Sequence, residues 1–362
     1  MKKMTSLERC IAVLDGKIPD RIPVVPQAFL FASKTLGYDI GQINRNSKLL
    51  AKSHIVCQEK YGYDGCVIDV DDATLAEACG AKVIYRDNNV ACVDENEPIL
   101  KNLRDIENLK MPDPYVDGRL PQWLEITKIL KEEIGDHVFI MGRADQGPFS
   151  LVCLLRGMQN FMMDLITEDK EVIWNALNWS SKVCERFALA QIQCGANATS
   201  MGDSSAGPSL ISPNMYREFA LEHETRIVSE IQKHGVPYSI HICGDAQKIV
   251  GDIVTTGAKI LELDWKVDMK LAKGIVGDKA VIMGNINPSD PLFSGTSQQV
   301  DKEAKKIIEQ TKGRGLFLSS GCAIGANTKP ENFIAMVKAA TKYGTYEKIM
   351  ELNDLKIKKS FT

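Results

Sequence analysis

His241 and Cys243, in the stretch YSIHICGD from Tyr238 to Asp245, are two metal-ligand side chains set two positions apart. In an extended chain residues i and i+2 project from the same side, so both can reach one ion. A further thiol, Cys322, closes the run LFLSSGC and meets them only if its strand lies nearby or the sheet closes. One imidazole and two thiolates make a borderline-soft donor set that suits zinc. Two thiolates cancel the charge of a divalent ion and leave a coordination position open, as in catalytic zinc. Packing is the competing reading, because Cys is among the most buried residue types and His often sits satisfied in a core. Spacing alone leaves both open.

Positioning such a set requires strands, and short apolar runs recur along the chain: IPVVP from 22, CVIDV from 66, VFIMGR from 138, ATSMGD from 198, YSIHIC from 238, KILELD from 259, AVIMGN from 280 and LFLSSG from 316. Amphipathic stretches separate them. PQWLEITKILKEEIG from Pro121 reads as a helix, as does SPNMYREFALEHETRIVSEIQKHG from Ser212, with Ser as cap, Pro in the first turn and Gly at the end. Alternating strand and helix predicts an α/β fold with a parallel sheet. Eight such units predict a (β/α)8 barrel with an N-terminal helical extension, although an open doubly wound sheet shares the alternation. VIYRDNNVACV, from Val83 to Val93, reads instead as a β-hairpin inserted after the second strand, suited to a lid or an interface.

In a parallel barrel the site lies at the C-terminal ends of the strands. Those ends supply Asp69, Arg143, Asp203, His241, Cys243, Asp264, Asn285 and Cys322. Asp203 is a candidate general base, a substrate hydrogen-bond acceptor or a helix cap. Asp264 is a candidate fourth metal ligand or water-orienting carboxylate, or else a cap for a helix starting at Val267. Arg143 can neutralise an anionic substrate or pair with Asp145 beside it. Asn285 joins the catalytic candidates, as does Glu77 in LAEACGA, whose bland reading is a solvated charge. The loop from Gln146 to Leu155 and the hairpin are the expected sources of pocket-lining residues.

Composition narrows the classes of function. The 44 basic and 47 acidic residues give a net charge of -3 with no basic stripe, which argues against nucleic acid. Neither a signal segment after MKKMTSLERC nor a long apolar run is present, so the expectation is a soluble, cytoplasmic protein that does not enter membranes. Ten cysteines scattered through apolar segments read as reduced thiols, eight of them small core residues. Without repeats or Pro/Gly/Ser-rich linkers, residues 1–362 are expected to form a single domain. No glycine-rich nucleotide loop is present, which leaves nucleotide cofactors unsupported.

The assembled motifs resemble the uroporphyrinogen decarboxylase superfamily over essentially the whole chain. The matching stretches are DRIPVVP, EACGA, GDSSAGPSLISPNMYREF, HICGD, LELDWKVD, MGNINP and SSGCAIGANTKPENFIAMVKAA. The resemblance implies a (β/α)8 barrel. PVVPQAF stands where the decarboxylases carry an arginine-rich motif that clamps porphyrin carboxylates, which disfavours decarboxylation. His241, Cys243 and Cys322 are similar, residue by residue, to the ligands of the zinc-dependent corrinoid methyltransferases. Asp264 falls where the coenzyme M branch has a Glu as exchangeable ligand. The implied activity is zinc-dependent methyl transfer in anaerobic one-carbon metabolism, with a small O-methyl substrate such as a methoxylated aromatic as donor. The acceptor would be the cobalt of a corrinoid (cobalamin) on a separate protein docked over the barrel mouth, since the chain has no Asp-x-His-x-x-Gly corrinoid signature. Transfer from methylcorrinoid to a thiol or pterin is the alternative within the class. A metal-free decarboxylase and a non-catalytic barrel are the alternatives outside it, and association with further copies of the chain stays open.

Overall fold

The computed structural model describes residues 3–359 apart from residues 70, 144 and 145, with side chains as far as residue 353. Nine strands are described: β1 Gly65–Ile68, β2 Val83–Ile84, β3 Cys92–Val93, β4 Phe139–Gly142, β5 Thr199–Gly202, β6 Tyr238–Ile242, β7 Ile260–Leu263, β8 Val281–Ile286 and β9 Leu316–Ser320. Strands β5 to β9 form one parallel sheet in sequence order, and β1 pairs parallel with β4. A bridge between Met141 and Ala198, with the Gly142 N–H donating to the Ala198 carbonyl at 2.8 Å, joins the two. Every strand residue of β1 and β4 to β9 is buried, as expected where helices cover the outer face and packed side chains the inner one.

The circle closes through residues 22–25, the first of the expected strands. The Val25 N–H donates to the Leu318 carbonyl at 3.0 Å, and the Gly65 N–H donates to the Val24 carbonyl at 3.3 Å. This run is an extended seam rather than a regular strand, a departure from the sequence reading with a clear cause. Pro23 and Pro26 have no N–H to give to a ladder. Asp64 locks the seam from below, accepting from Arg9 Nη1 at 2.6 Å, Arg21 Nη1 at 2.7 Å and the Val24 N–H at 2.7 Å. Arg9 belongs to the N-terminal helix Ser6–Leu14, whose Cys10 and Val13 join the cluster inside the barrel.

That inner cluster fixes which strand residues point inward. Val67, Met141, Ala198, Ile260, Met283 and Phe317 all belong to it. With a period of two, positions Asp69, Arg143, His241, Glu262, Asp264 and Asn285 continue the inward rows toward the C-terminal mouth. Asp203, one residue past the inward-facing Gly202, does not.

Other expectations shift in detail. β2 and β3 form the antiparallel hairpin, with Val83 opposite Val93. The helix expected from Ser212 is two helices, Pro213–Phe219 and Leu221–Gln232, separated at Ala220, while Ser212 caps the first. The helix after Asp264 begins at Met269 and is capped by Asp268, which replaces the expected start at Val267. Of the eight cysteines read as core, six are buried, and Cys92 and Cys194 are half-buried. Among the described residues no cysteine is in a disulfide. Val70, the end of the second run, and Asp145, the suggested partner of Arg143, lie outside the described residues.

Candidate metal and substrate site

The C-terminal end of β6 delivers His241 inward, and the chain then turns after Cys243. The His241 Nδ1–H donates to the Glu262 carbonyl on β7 at 3.0 Å, which fixes the ring and leaves Nε2 to face Cys243 Sγ at 2.9 Å. Cys243 Sγ lies 3.5 Å from Cys322 Sγ, although the residues are 79 positions apart. The ligand atoms of His241, Cys243 and Cys322 all lie within 4.8 Å of one another. Two glycines make this convergence possible. Gly244 takes φ +89°, which a side chain rarely adopts, and any Cβ on Gly321 would overlap the Trp265 backbone nitrogen.

The electrostatics of the three groups are those of a donor set drawn together. A hydrogen bond from the Cys322 thiol pulls the Cys243 pKa down against burial, with the charge of His241 adding to the effect. Cys322 is pushed up by that same bond and by burial, so it is the sulfur that keeps a proton. Burial alone would lower the His241 pKa, but the Cys243 thiolate outweighs it and carries it up to about 9. Protons here are held because the groups face one another and, at Cys322, because burial favours the neutral thiol. A divalent cation would displace them, and neutral imidazole with two thiolates is the donor chemistry of zinc.

A cavity of about 330 Å³ opens beside the three ligands. Its described wall includes Phe29, Leu30, Val90 and Leu154 on the apolar side, and Asp69, Asp71, Asp72, Arg143 and Gln146 on the polar side. The loop from Gln146 to Leu155 thus supplies part of the wall, and Val90 comes from the hairpin turn. Arg143 is 4% exposed and paired on two sides: Nε forms an ion pair with Asp69 Oδ2 at 2.9 Å, and Nη2 donates to Glu262 Oε2 at 2.7 Å. Glu262, which the sequence reading passed over, also accepts from Ser239 Oγ at 2.8 Å. Its signal was its parity, two residues before Asp264 on an inward row.

The remaining candidates lie just outside the described wall. Asp264 Oδ1 accepts from the Lys266 N–H at 2.9 Å, and burial pushes its carboxyl pKa up. It is not one of the three grouped ligands. Asn285 donates its amide to the Asp264 carbonyl at 3.0 Å and the Val267 carbonyl at 2.8 Å, holding the loop that carries Asp264. Glu77 accepts from Arg119 Nε at 2.6 Å and from the Tyr85 hydroxyl, while Arg119 also holds Asp71. Asp203 faces away from the cavity and accepts from the Ser150 N–H at 2.7 Å and the Phe149 N–H at 3.3 Å. These are first-turn donors of the helix Pro148–Arg156, so Asp203 fixes the helix that brings Leu154 to the wall.

Behind Asp203 a second carboxyl is fully buried. Glu224 Oε2 accepts from the Tyr216 hydroxyl at 2.5 Å, and its Oε1 has no partner among the described residues. Burial, then the neighbouring Asp203, pushes the Glu224 pKa up to about 8. The fold therefore holds this proton more tightly than the unfolded chain does. The resulting stability is fully present below the ordinary carboxylate range and is lost as pH rises toward about 8. Glu224→Gln, which keeps an oxygen for Tyr216, is expected to remove that fall and to raise the urea midpoint at pH 8 while changing little near pH 5. Parallel pH profiles for the two proteins would refute it.

Three comparisons bear on this architecture. A family model for uroporphyrinogen decarboxylase (URO-D) matches residues 5–343. The methylcobamide:CoM methyltransferase MtaA of Methanosarcina barkeri is 28% identical over 348 residues, covering 95% of this chain and 99% of that protein. A uroporphyrinogen decarboxylase from Citrifermentans bemidjiense is 27% identical over 282 residues, covering 76% of this chain and 79% of that one. Among solved structures, a methyltransferase from Methanosarcina mazei aligns with a TM-score of 0.86 at 26% identity, covering 94% of this chain and 99% of that chain. The barrel architecture agrees. Among the described residues, no helix is long and apolar enough to cross a membrane.

Proposed function

The chain belongs to the uroporphyrinogen decarboxylase family, and within it we propose a zinc-dependent methyltransferase that exchanges a methyl group between a small substrate and the cobalt of a corrinoid on a separate protein docked at the barrel mouth. The observation that carries this reading is the approach of His241, Cys243 and Cys322 to within 4.8 Å at the edge of a substrate-sized cavity. His241, Cys243 and Cys322 would hold zinc. When bound, zinc would act as a Lewis acid toward a substrate sulfur or oxygen, lowering the pKa of a thiol or stabilising the oxygen that leaves from a methyl ether.

The protein's own part is placement. His241 is held in one tautomer by the Glu262 carbonyl. Arg143, between Asp69 and Glu262, makes the polar wall rigid, and the apolar wall excludes water from the reacting sulfur or oxygen. Asn285 and Asp203 set the loop and helix that frame the cavity.

Similarity to relatives named for methylcobamide:CoM transfer favours a thiol as acceptor. The second reading, a methoxylated aromatic as donor, is favoured by the apolar wall of Phe29, Leu30, Val90 and Leu154. Anaerobically purified protein separates the two when zinc-loaded enzyme is given methylcobalamin with thiols, or cob(I)alamin with methyl ethers, and the cobalt spectrum is followed. Transfer in one arm identifies the direction. Silence in both, with zinc present, would sink the proposal and return decarboxylation to the front.

A further inference from the structure

The polar wall of the cavity is unbalanced in charge. Three carboxylates, Asp69, Asp71 and Asp72, line it with a single guanidinium, Arg143. That guanidinium is shared between Asp69 at 2.9 Å and Glu262 at 2.7 Å. Asp71 is met from behind the wall by Arg119 at 2.5 Å, which is itself divided with Glu77 at 2.6 Å. Asp72 accepts from the Gln146 amide at 3.2 Å and has no cation at ion-pair distance among the described residues. Each arginine thus serves two carboxylates at ion-pair distance, and Asp72, at the mouth, is left with the Gln146 amide and the more distant charge of Arg143. The two thiolates do not alter the balance, because a divalent ion between them is neutralised.

We propose that this site admits a substrate with no anionic group, and that Asp72 is a specificity-determining residue whose carboxylate receives a cationic or hydrogen-bond-donating end of that substrate. The inference rests on the cavity being the substrate site of the proposed methyltransferase. An anionic substrate would give up water to stand beside carboxylates whose counter-charges are already divided, and the neutral hydroxyl and amide donors of the wall, among them Gln27, Ser204 and Ser205, supply no counter-charge. The sulfonate of 2-mercaptoethanesulfonate is such an anion. Selection against it would set this chain apart from the relatives named for CoM. Arg143, offered by the sequence as a receptor for an anion, is instead occupied by the wall itself.

Four small thiols test the idea on the zinc-loaded protein: 2-mercaptoethanol, 2-aminoethanethiol, 3-mercaptopropionate and 2-mercaptoethanesulfonate. Binding is measured by calorimetry, and methyl transfer by consumption of methylcobalamin. The neutral and cationic thiols are expected to bind roughly tenfold more tightly than the two anions, about the effect of one unit charge in a half-solvated site. Asp72→Asn and Asp72→Ser should each narrow the ratio between the cationic and anionic thiols by a similar factor. A sulfonate that binds as well as 2-mercaptoethanol, a ratio indifferent to both substitutions, or no binding by any thiol would each overturn the inference. The charge order without methyl transfer would uphold the inference and defeat the reading of a thiol as methyl acceptor. Transfer that prefers the sulfonate would do the reverse.

Discussion

Protein purified without added metal is expected to carry about one zinc ion per chain, and His241→Ala, Cys243→Ala and Cys322→Ala are each expected to lose most of it. The three ligand atoms already lie within 4.8 Å of one another, so removing one leaves two donors on an ion that needs at least three protein ligands at a catalytic site. The effect on methyl transfer should be large, on the order of a thousandfold or more, because a positioned Lewis acid contributes several kcal/mol to the barrier. Metal analysis by mass spectrometry checks the first part, and single-turnover cobalt spectroscopy the second. Zinc that survives Cys322→Ala would show that the thiol 79 residues from Cys243 is only a neighbour. A folded protein free of zinc in every preparation would remove the basis of the proposed chemistry.

Arg143→Met should be the most destabilising single change among the residues of the site. Its guanidinium is 4% exposed and bridges Asp69 and Glu262, and Glu262 is 1% exposed. Burial alone would lower the arginine's pKa; the charges of Glu262 and Asp69 outweigh it and raise it. Methionine fills the volume but leaves two carboxylates facing each other in the barrel, a loss of about 3–5 kcal/mol. Replacing Glu262 with Gln in the same protein should recover part of that loss, since it removes one of the stranded charges. Urea unfolding of the single and double variants measures both quantities. If Arg143→Met costs less than about 1 kcal/mol, the buried triad is not the wall's support, and the charge balance argued for the cavity loses its foundation.

The sequence by itself was enough for a parallel α/β architecture and for two of the three grouped ligands. Strand-helix alternation and buried Val/Ile runs give the parallel architecture, because a strand covered on both faces needs apolar residues throughout. His241 and Cys243 were legible as a pair because the two-residue period of a strand is a local property. What lay beyond local rules was direction and distance. Asp203 ends a strand as His241 nearly does, but its parity is opposite, and it turns to the first turn of the helix Pro148–Arg156 instead of the cavity. The register that decides this is set by the inner cluster, not by the residues around Asp203.

Tertiary structure alone decided the long-range contacts. Arg143 meets Glu262 across 119 residues, and Cys322 meets Cys243 although two strands, β7 and β8, lie between β6 and β9 in the sheet. Closure depends on hydrogen bonds from a proline-broken run that a strand pattern describes poorly, and on Asp64 gathering Arg9, Arg21 and Val24 beneath it. Periodicity reports which face of an element is buried. Which other element buries it is settled by the packing of the whole chain, and with it which thiol stands opposite which histidine.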